Sequence, residues 1–236
     1  MKILIKNKDI NEALKKVSNL GFVPTMGCLH KGHEYLIKQS KRKCNQTLVS
    51  IFINPTQFNN KKDYLSYPKN LKKDLNILKK LKVNYVYIPN KKDVYSFKRK
   101  REIVLKKENR VLCAKFRKGH FEGVIDVMDR LTSIIRPNKI FMGEKDYQQL
   151  MLVKKFIEKK YKTKIVSCKT IRNKDKLALS SRNHLLNKQD LIKASKIAKE
   201  LFNLKKFLKN KKKTKTILQK KLKLLKKNFD VKIDYL

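Results

Sequence analysis

Two periodicities alternate along the chain. Apolar runs of strand length, several of them alternating with period two, fall at residues 21–26, 47–53, 84–89, 139–142 and 164–168. Segments with a 3.6-residue repeat lie between them. Leu71, Leu75 and Leu78 share one face of a helix predicted over residues 71–80. A second apolar helix, over residues 123–135, must stop before Pro137, whose ring cannot continue it. Strands alternating with helices predict an α/β fold, a Rossmann-like parallel sheet with helices on both faces. After Arg182 the texture changes. Asn187 followed by Asp190 is a capping arrangement opening a long basic helix through about Leu208. A charge-dense turn is expected over residues 209–213, then another helix, then a strand over residues 231–236. These form a smaller α+β domain. No solenoid repeat or Gly/Ser linker interrupts the pattern.

With 236 residues, 41% of them hydrophobic, the chain can bury an ordinary core. No apolar run reaches the roughly 18 to 20 residues needed to span a bilayer, and the start lacks a secretion signal, so a cytoplasmic protein without a membrane partner is expected. Cys28, Cys44, Cys113 and Cys168 are unevenly spaced, without a CxxC pair or a zinc-type grouping, which predicts reduced, mostly packed thiols. The formal charge of +43 ordinarily points to nucleic acid. Here only nine of the 62 basic residues are arginine, the residue that reads phosphates and bases bidentately. Lysine is also spread along the whole chain. The charge therefore reads as solvated lysine faces, with no specific nucleic-acid partner.

Three segments carry chemistry. In Pro24-Thr25-Met26-Gly27-Cys28-Leu29-His30-Lys31-Gly32-His33 a strand ends in a glycine-containing turn and a helix follows. Glycine allows backbone N–H groups to approach phosphates, a helix N-terminus adds partial positive charge, and His30 and His33 can both donate to phosphoryl oxygens. An HxxH pair alone carries little weight; its strand–turn–helix setting gives it meaning. In Phe141-Met142-Gly143-Glu144-Lys145-Asp146-Tyr147-Gln148-Gln149 another strand ends where sheets of this kind bind ligands. Lys145 can hold a phosphate, Asp146 can cap the helix or orient that lysine, and Gln149 offers an amide. In Leu179-Ser180-Ser181-Arg182 two hydroxyls and a guanidinium suit a triphosphate. Asn54 and Gln57 stand at the end of a buried strand as uncharged amides for a small polar acid, and residues 116–123, with His120, can wall the same pocket.

In this order the segments resemble the pantothenate synthetase family, a member of the HxGH-type nucleotidyltransferase group, over nearly the whole chain. The resemblance implies a Rossmann-like domain over residues 1–170 that binds ATP and pantoate, and a C-terminal lid over residues 171–236, shortened relative to the family. It implies an ATP site of Met26, Gly27, Cys28, Leu29, His30, Lys31, Gly32, His33, Gly143, Glu144, Lys145, Asp146, Ile171, Leu179, Ser180, Ser181 and Arg182. Catalysis falls to His33 as proton donor with His30, Lys145 and Arg182. Gln57 and Gln149 match the pantoate contacts, beta-alanine is the second substrate, magnesium accompanies the phosphates, and a homodimer is expected. No residue is assigned as a metal ligand. Asp74 survives from an acidic cluster, but beside Lys72 and Lys73 it is not assigned to magnesium.

Two departures have structural consequences. Lys176 stands where the family has Gly, so a turn needing positive φ would be strained there. Lys118 replaces a family proline and should alter only stiffness. Two other functions compete. Another nucleotidyltransferase of the same architecture is disfavoured by Gln57 and Gln149 together with Glu144-Lys145-Asp146. A basic RNA-binding protein on a decayed scaffold would show steeply salt-dependent binding and no turnover.

Overall fold

The computed structural model describes residues 1–97, 102–208 and 214–236. The expected turn at residues 209–213 lies outside them. The chain divides into two compact units, Met1–Thr170 and Ile171–Leu236.

The first unit is built on a six-stranded parallel sheet: β1 (Lys2–Leu4), β2 (Leu20–Thr25), β3 (Gln46–Ile51), β4 (Tyr85–Tyr87), β5 (Lys139–Gly143) and β6 (Lys164–Cys168), in the order β1-β4-β3-β2-β5-β6. Its helices are α1 (Asn7–Leu14), α2 (Lys31–Lys43), α3 (Lys61–Leu65), α4 (Leu71–Lys80), α5 (Lys91–Val94), α6 (Cys113–Phe116), α7 (His120–Ile135) and α8 (Tyr147–Lys160). Successive side chains of a strand point to opposite faces. Phe22, Leu48, Tyr87 and Ile140 accordingly join one core cluster with Val124, Met128, Leu150 and Ile157 of α7 and α8. Their neighbours Val23, Val49, Val86 and Phe141 join the other, with Ile37 of α2 and Leu78 of α4. Both faces are thus covered, which is why the central strands read as nearly unbroken apolar runs. β1 and α1 were not foreseen: β1 is a three-residue edge strand of which only Leu4 is buried.

Strand pairing leaves an opening where the site lies. β2 pairs with β3 along its whole length, from Leu20↔Gln46 to Thr25↔Ile51, but with β5 only at Gly21↔Lys139 and Phe22↔Ile140. Pro24, which lacks an N–H, sits beyond the end of the β5 ladder, where no such donor is required.

The second unit holds α9 (Lys188–Leu208) and α10 (Thr214–Phe229). Asn187 Oδ1 accepts from the Asp190 amide at 2.8 Å, the cap anticipated for the long helix. Residues 231–236 form no strand, and the unit is helical rather than α+β. Their alternation of apolar and charged residues has strand periodicity, but a strand is stable only against a partner. The β-pairing among this unit's described residues is the single bridge Arg172↔Ala178. No helix among the described residues is long and apolar enough to cross a membrane. None of the four cysteines is in a disulfide; Cys44 and Cys168 are buried, and burial pushes the Cys168 thiol up to about 11.

Candidate active site

The strand order reverses direction between β2 and β5. Chain order runs from β2 outward through β3 and β4, then returns to place β5 and β6 on the opposite side. Ligands of open α/β sheets bind beyond the carboxyl ends of the strands at such a point. The turn after β2 carries residues 26–33, and the 3-10 turn after β5 carries Glu144–Asp146.

The turn after β2 is closed on itself. Gly27 and Cys28 both have left-handed backbone, φ 80° and 50°. The Gly27 amide donates to Thr25 Oγ1 (3.2 Å), Cys28 N–H to Asp74 Oδ2 (2.8 Å) and Leu29 N–H to Asp74 Oδ1 (2.7 Å). Three amides expected to face phosphate are therefore already engaged within the chain. His30 caps α2, its Nδ1 accepting from Gly32 N–H at 3.1 Å, while His30 N–H donates to His33 Nδ1 at 3.3 Å. A ring nitrogen that accepts carries no proton, so both imidazoles keep theirs on Nε2. The rings lie 4.1 Å apart. Burial first, then the charges of His30 and Lys145, push the His33 pKa down to about 3. His33 is thus a neutral donor near pH 7, and Lys145 stands close enough to be felt by it. The Lys145 ammonium bonds both Asp146 oxygens, at 3.2 and 3.3 Å. Asp146 makes no capping bond to α8, so of its two expected tasks it performs the orientation of the lysine.

Beyond β3, Asn54 is buried and central. Its Nδ2 donates to Gln57 Oε1 and to the Gly123 carbonyl, both at 3.2 Å, and its Oδ1 accepts from Tyr95 Oη at 2.7 Å. With its oxygen engaged by Asn54, Gln57 turns its amide nitrogen to Met26 Sδ at 3.0 Å, beside the turn after β2. This depends on a missing side chain. A Cβ on Gly123 would stand 2.4 Å from the Thr56 carbonyl, so only glycine lets α7 approach this turn. The same approach seats buried His120 with Nδ1 2.6 Å from the Gln57 carbonyl, so His120 supports the turn from behind. Gln149 lies partly buried in the first turn of α8, and its neighbour Gln148 is spent on the backbone of Asn109, Val111 and Ala114.

In the second unit Ser180 Oγ accepts from Arg182 N–H at 3.3 Å, Ser181 is buried and Arg182 is exposed. They follow a hairpin-like loop in which Leu179 N–H bonds the Ile171 carbonyl (3.0 Å) and Lys176 takes φ 68°. The position where glycine was expected does require left-handed backbone, and lysine occupies it. Asn173 holds the loop by accepting from the Asp175 and Leu177 amides. Asp74 is the residue whose role the sequence did not disclose, because its partners lie 45 and 46 residues away.

The family model described as Pantoate-beta-alanine ligase matches residues 2–236. The chain belongs to that family. It is 45% identical over 190 residues to the pantothenate synthetase of Francisella tularensis subsp. novicida, covering 80% of this chain and 73% of the relative. It is 37% identical over 244 residues to that of Pseudothermotoga lettingae, covering 99% and 85%. Among solved structures, the Francisella tularensis pantoate-beta-alanine ligase complexed with beta-gamma ATP and beta-alanine superposes with a TM-score of 0.81 at 42% identity, covering 84% of this chain and 78% of that one. Among the described residues no three His, Cys, Asp or Glu side chains gather to hold a metal ion.

Proposed function

We propose that the chain condenses pantoate with beta-alanine at the expense of ATP, through a pantoyl adenylate. The observation that carries this reading is the meeting of the His30–His33 turn and the Lys145–Asp146 turn at the carboxyl ends of adjacent strands. ATP is bound by Met26, Gly27, Cys28, Leu29, His30, Lys31, Gly32 and His33, by Gly143, Glu144, Lys145 and Asp146, and by Ile171, Leu179, Ser180, Ser181 and Arg182. A pantoate carboxylate oxygen attacks the α-phosphorus as the bond to the bridging oxygen breaks and pyrophosphate leaves. His30 and His33, neutral and protonated on Nε2, donate to the phosphoryl oxygens as charge builds, and Lys145 and Arg182 neutralise it. Gln57 and Gln149 hold pantoate. The beta-alanine amine then attacks the acyl carbon, AMP departs with the bonding pair, and the nitrogen loses a proton. Much of the acceleration comes from positioning. On the same reading the enzyme is a cytoplasmic homodimer, an expectation resting on the family.

The test is AMP formation from ATP, magnesium and pantoate, with and without beta-alanine. Pantothenate and AMP that depend on beta-alanine are expected. Salt-sensitive RNA binding without turnover would instead favour the basic-scaffold reading.

A further inference from the structure

Asp74 is a carboxylate with 2% of its surface exposed, set in the first turn of α4. It forms no ion pair with a lysine or arginine among the described residues; both its oxygens are engaged by the Cys28 and Leu29 amides, at 2.8 and 2.7 Å. A buried charge is tolerated only where hydrogen bonds replace its lost hydration. Here those bonds come from the two residues immediately before His30. Gly27 is held just as closely: a Cβ there would stand 3.0 Å from Asp74 Oδ2. The turn also needs holding, since Cys28 is a non-glycine residue at φ 50°. Space for collapse lies beside it, a cavity of about 320 Å³ walled by Met26, Gly27, Phe52, Lys69 and Asp74 among others.

We infer that Asp74 is a positioning residue for ATP: it clamps the Gly27–Leu29 turn so that His30 and His33 stand where the phosphates arrive. It does this through the backbone, without touching the nucleotide. Both of its oxygens accept short bonds from backbone amides. This inference rests on the ATP assignment above.

The experiment compares the full chain with Asp74→Asn and Asp74→Ala, measuring KM for ATP, KM for pantoate and for beta-alanine, and ATP affinity by calorimetry across a magnesium titration. Asparagine keeps the shape but turns an N–H₂ toward one amide, so it tests the clamp even if the alanine variant fails to fold. In Asp74→Asn we expect KM for ATP to rise about tenfold, in line with one lost charge-assisted bond, while the other two KM values stay within about twofold. The deficit should persist at every magnesium concentration. An Asp74→Asn enzyme with unchanged KM for ATP, a loss shared evenly among all three substrates, or a deficit that excess magnesium erases would overturn the inference. Failure of the unmodified chain to bind ATP would instead remove the functional reading itself.

Discussion

In the two units, the residues proposed to meet ATP are held in different ways. In the first, His30, His33 and Gln57 are fixed by side chains buried behind them, Asp74, Asn54 and His120, each of which answers backbone or amide groups at hydrogen-bond distance. In the second, Arg182 is exposed on a short turn, where its amide donates to Ser180 Oγ and Asn183 Nδ2 donates to the Ala178 carbonyl. The preceding loop carries lysine in a left-handed conformation. The helices of that unit bury few apolar residues, Ala198, Leu204 and Leu225. A network buried behind a site makes it rigid, because each member is costly to leave unsatisfied. A site on an exposed turn has fewer buried groups behind it to fix its geometry.

The largest expected effect probes the rigid side. His33→Ala should lower kcat by about a thousandfold, within the range for a removed proton donor or oxyanion-type donor, with little change in KM for beta-alanine. Steady-state kinetics with an unchanged thermal melt check this. For the second unit, Arg182→Ala should lower kcat/KM for ATP by about a hundredfold, with the loss divided between kcat and KM. A loss confined to kcat would show Arg182 as preorganised as His33 and erase the contrast.

Stability against pH sharpens it differently. His33 has a pKa near 3 in the folded chain against 6.5 when unfolded, so the unfolded state binds more protons between those values. Stability contributed by His33 is complete above pH 6.5 and is lost as pH falls toward 3, by up to about 1.4 kcal/mol per pH unit. Melting of the protein should follow that trend, and His33→Gln should flatten it. The smallest effect belongs to the loop: Lys176→Gly should stabilise by about 1 kcal/mol, since it relieves the left-handed strain. Urea unfolding with activity unchanged would confirm that the loop is strained without being functional. A destabilised Gly variant would mean that the lysine side chain contributes more than its backbone costs.

Local patterns made much of this legible. The helix over residues 71–80 and the β6 strand over residues 164–168 were found with their observed ends, because leucine spacing and β-branched runs need no distant information. The glycine need at Lys176 was also visible before the backbone was. β1 escaped because three residues are too few to show a period. Residues 231–236 misled for the opposite reason, since they have the period but no partner strand. Asp74 was legible as an acid and not as a clamp: its partners are set by the packing of α4 against the sheet, which no local spacing encodes. The same holds for Gly123, whose bareness has meaning only against Thr56.

The ladder between β2 and β5 joins Gly21 to Lys139 across more than a hundred residues. During synthesis, β2 and β3 can pair once the chain has passed Ile51, yet the β5 side of β2 stays open until Gly143 has left the ribosome. For most of that interval a strongly apolar edge is bare, a template for pairing with other nascent chains. The crevice proposed for ATP is closed by the last of these pairings, so the nucleotide cannot assist the early steps of folding. A growing polypeptide of this kind needs shelter, or speed, before it can need its substrate.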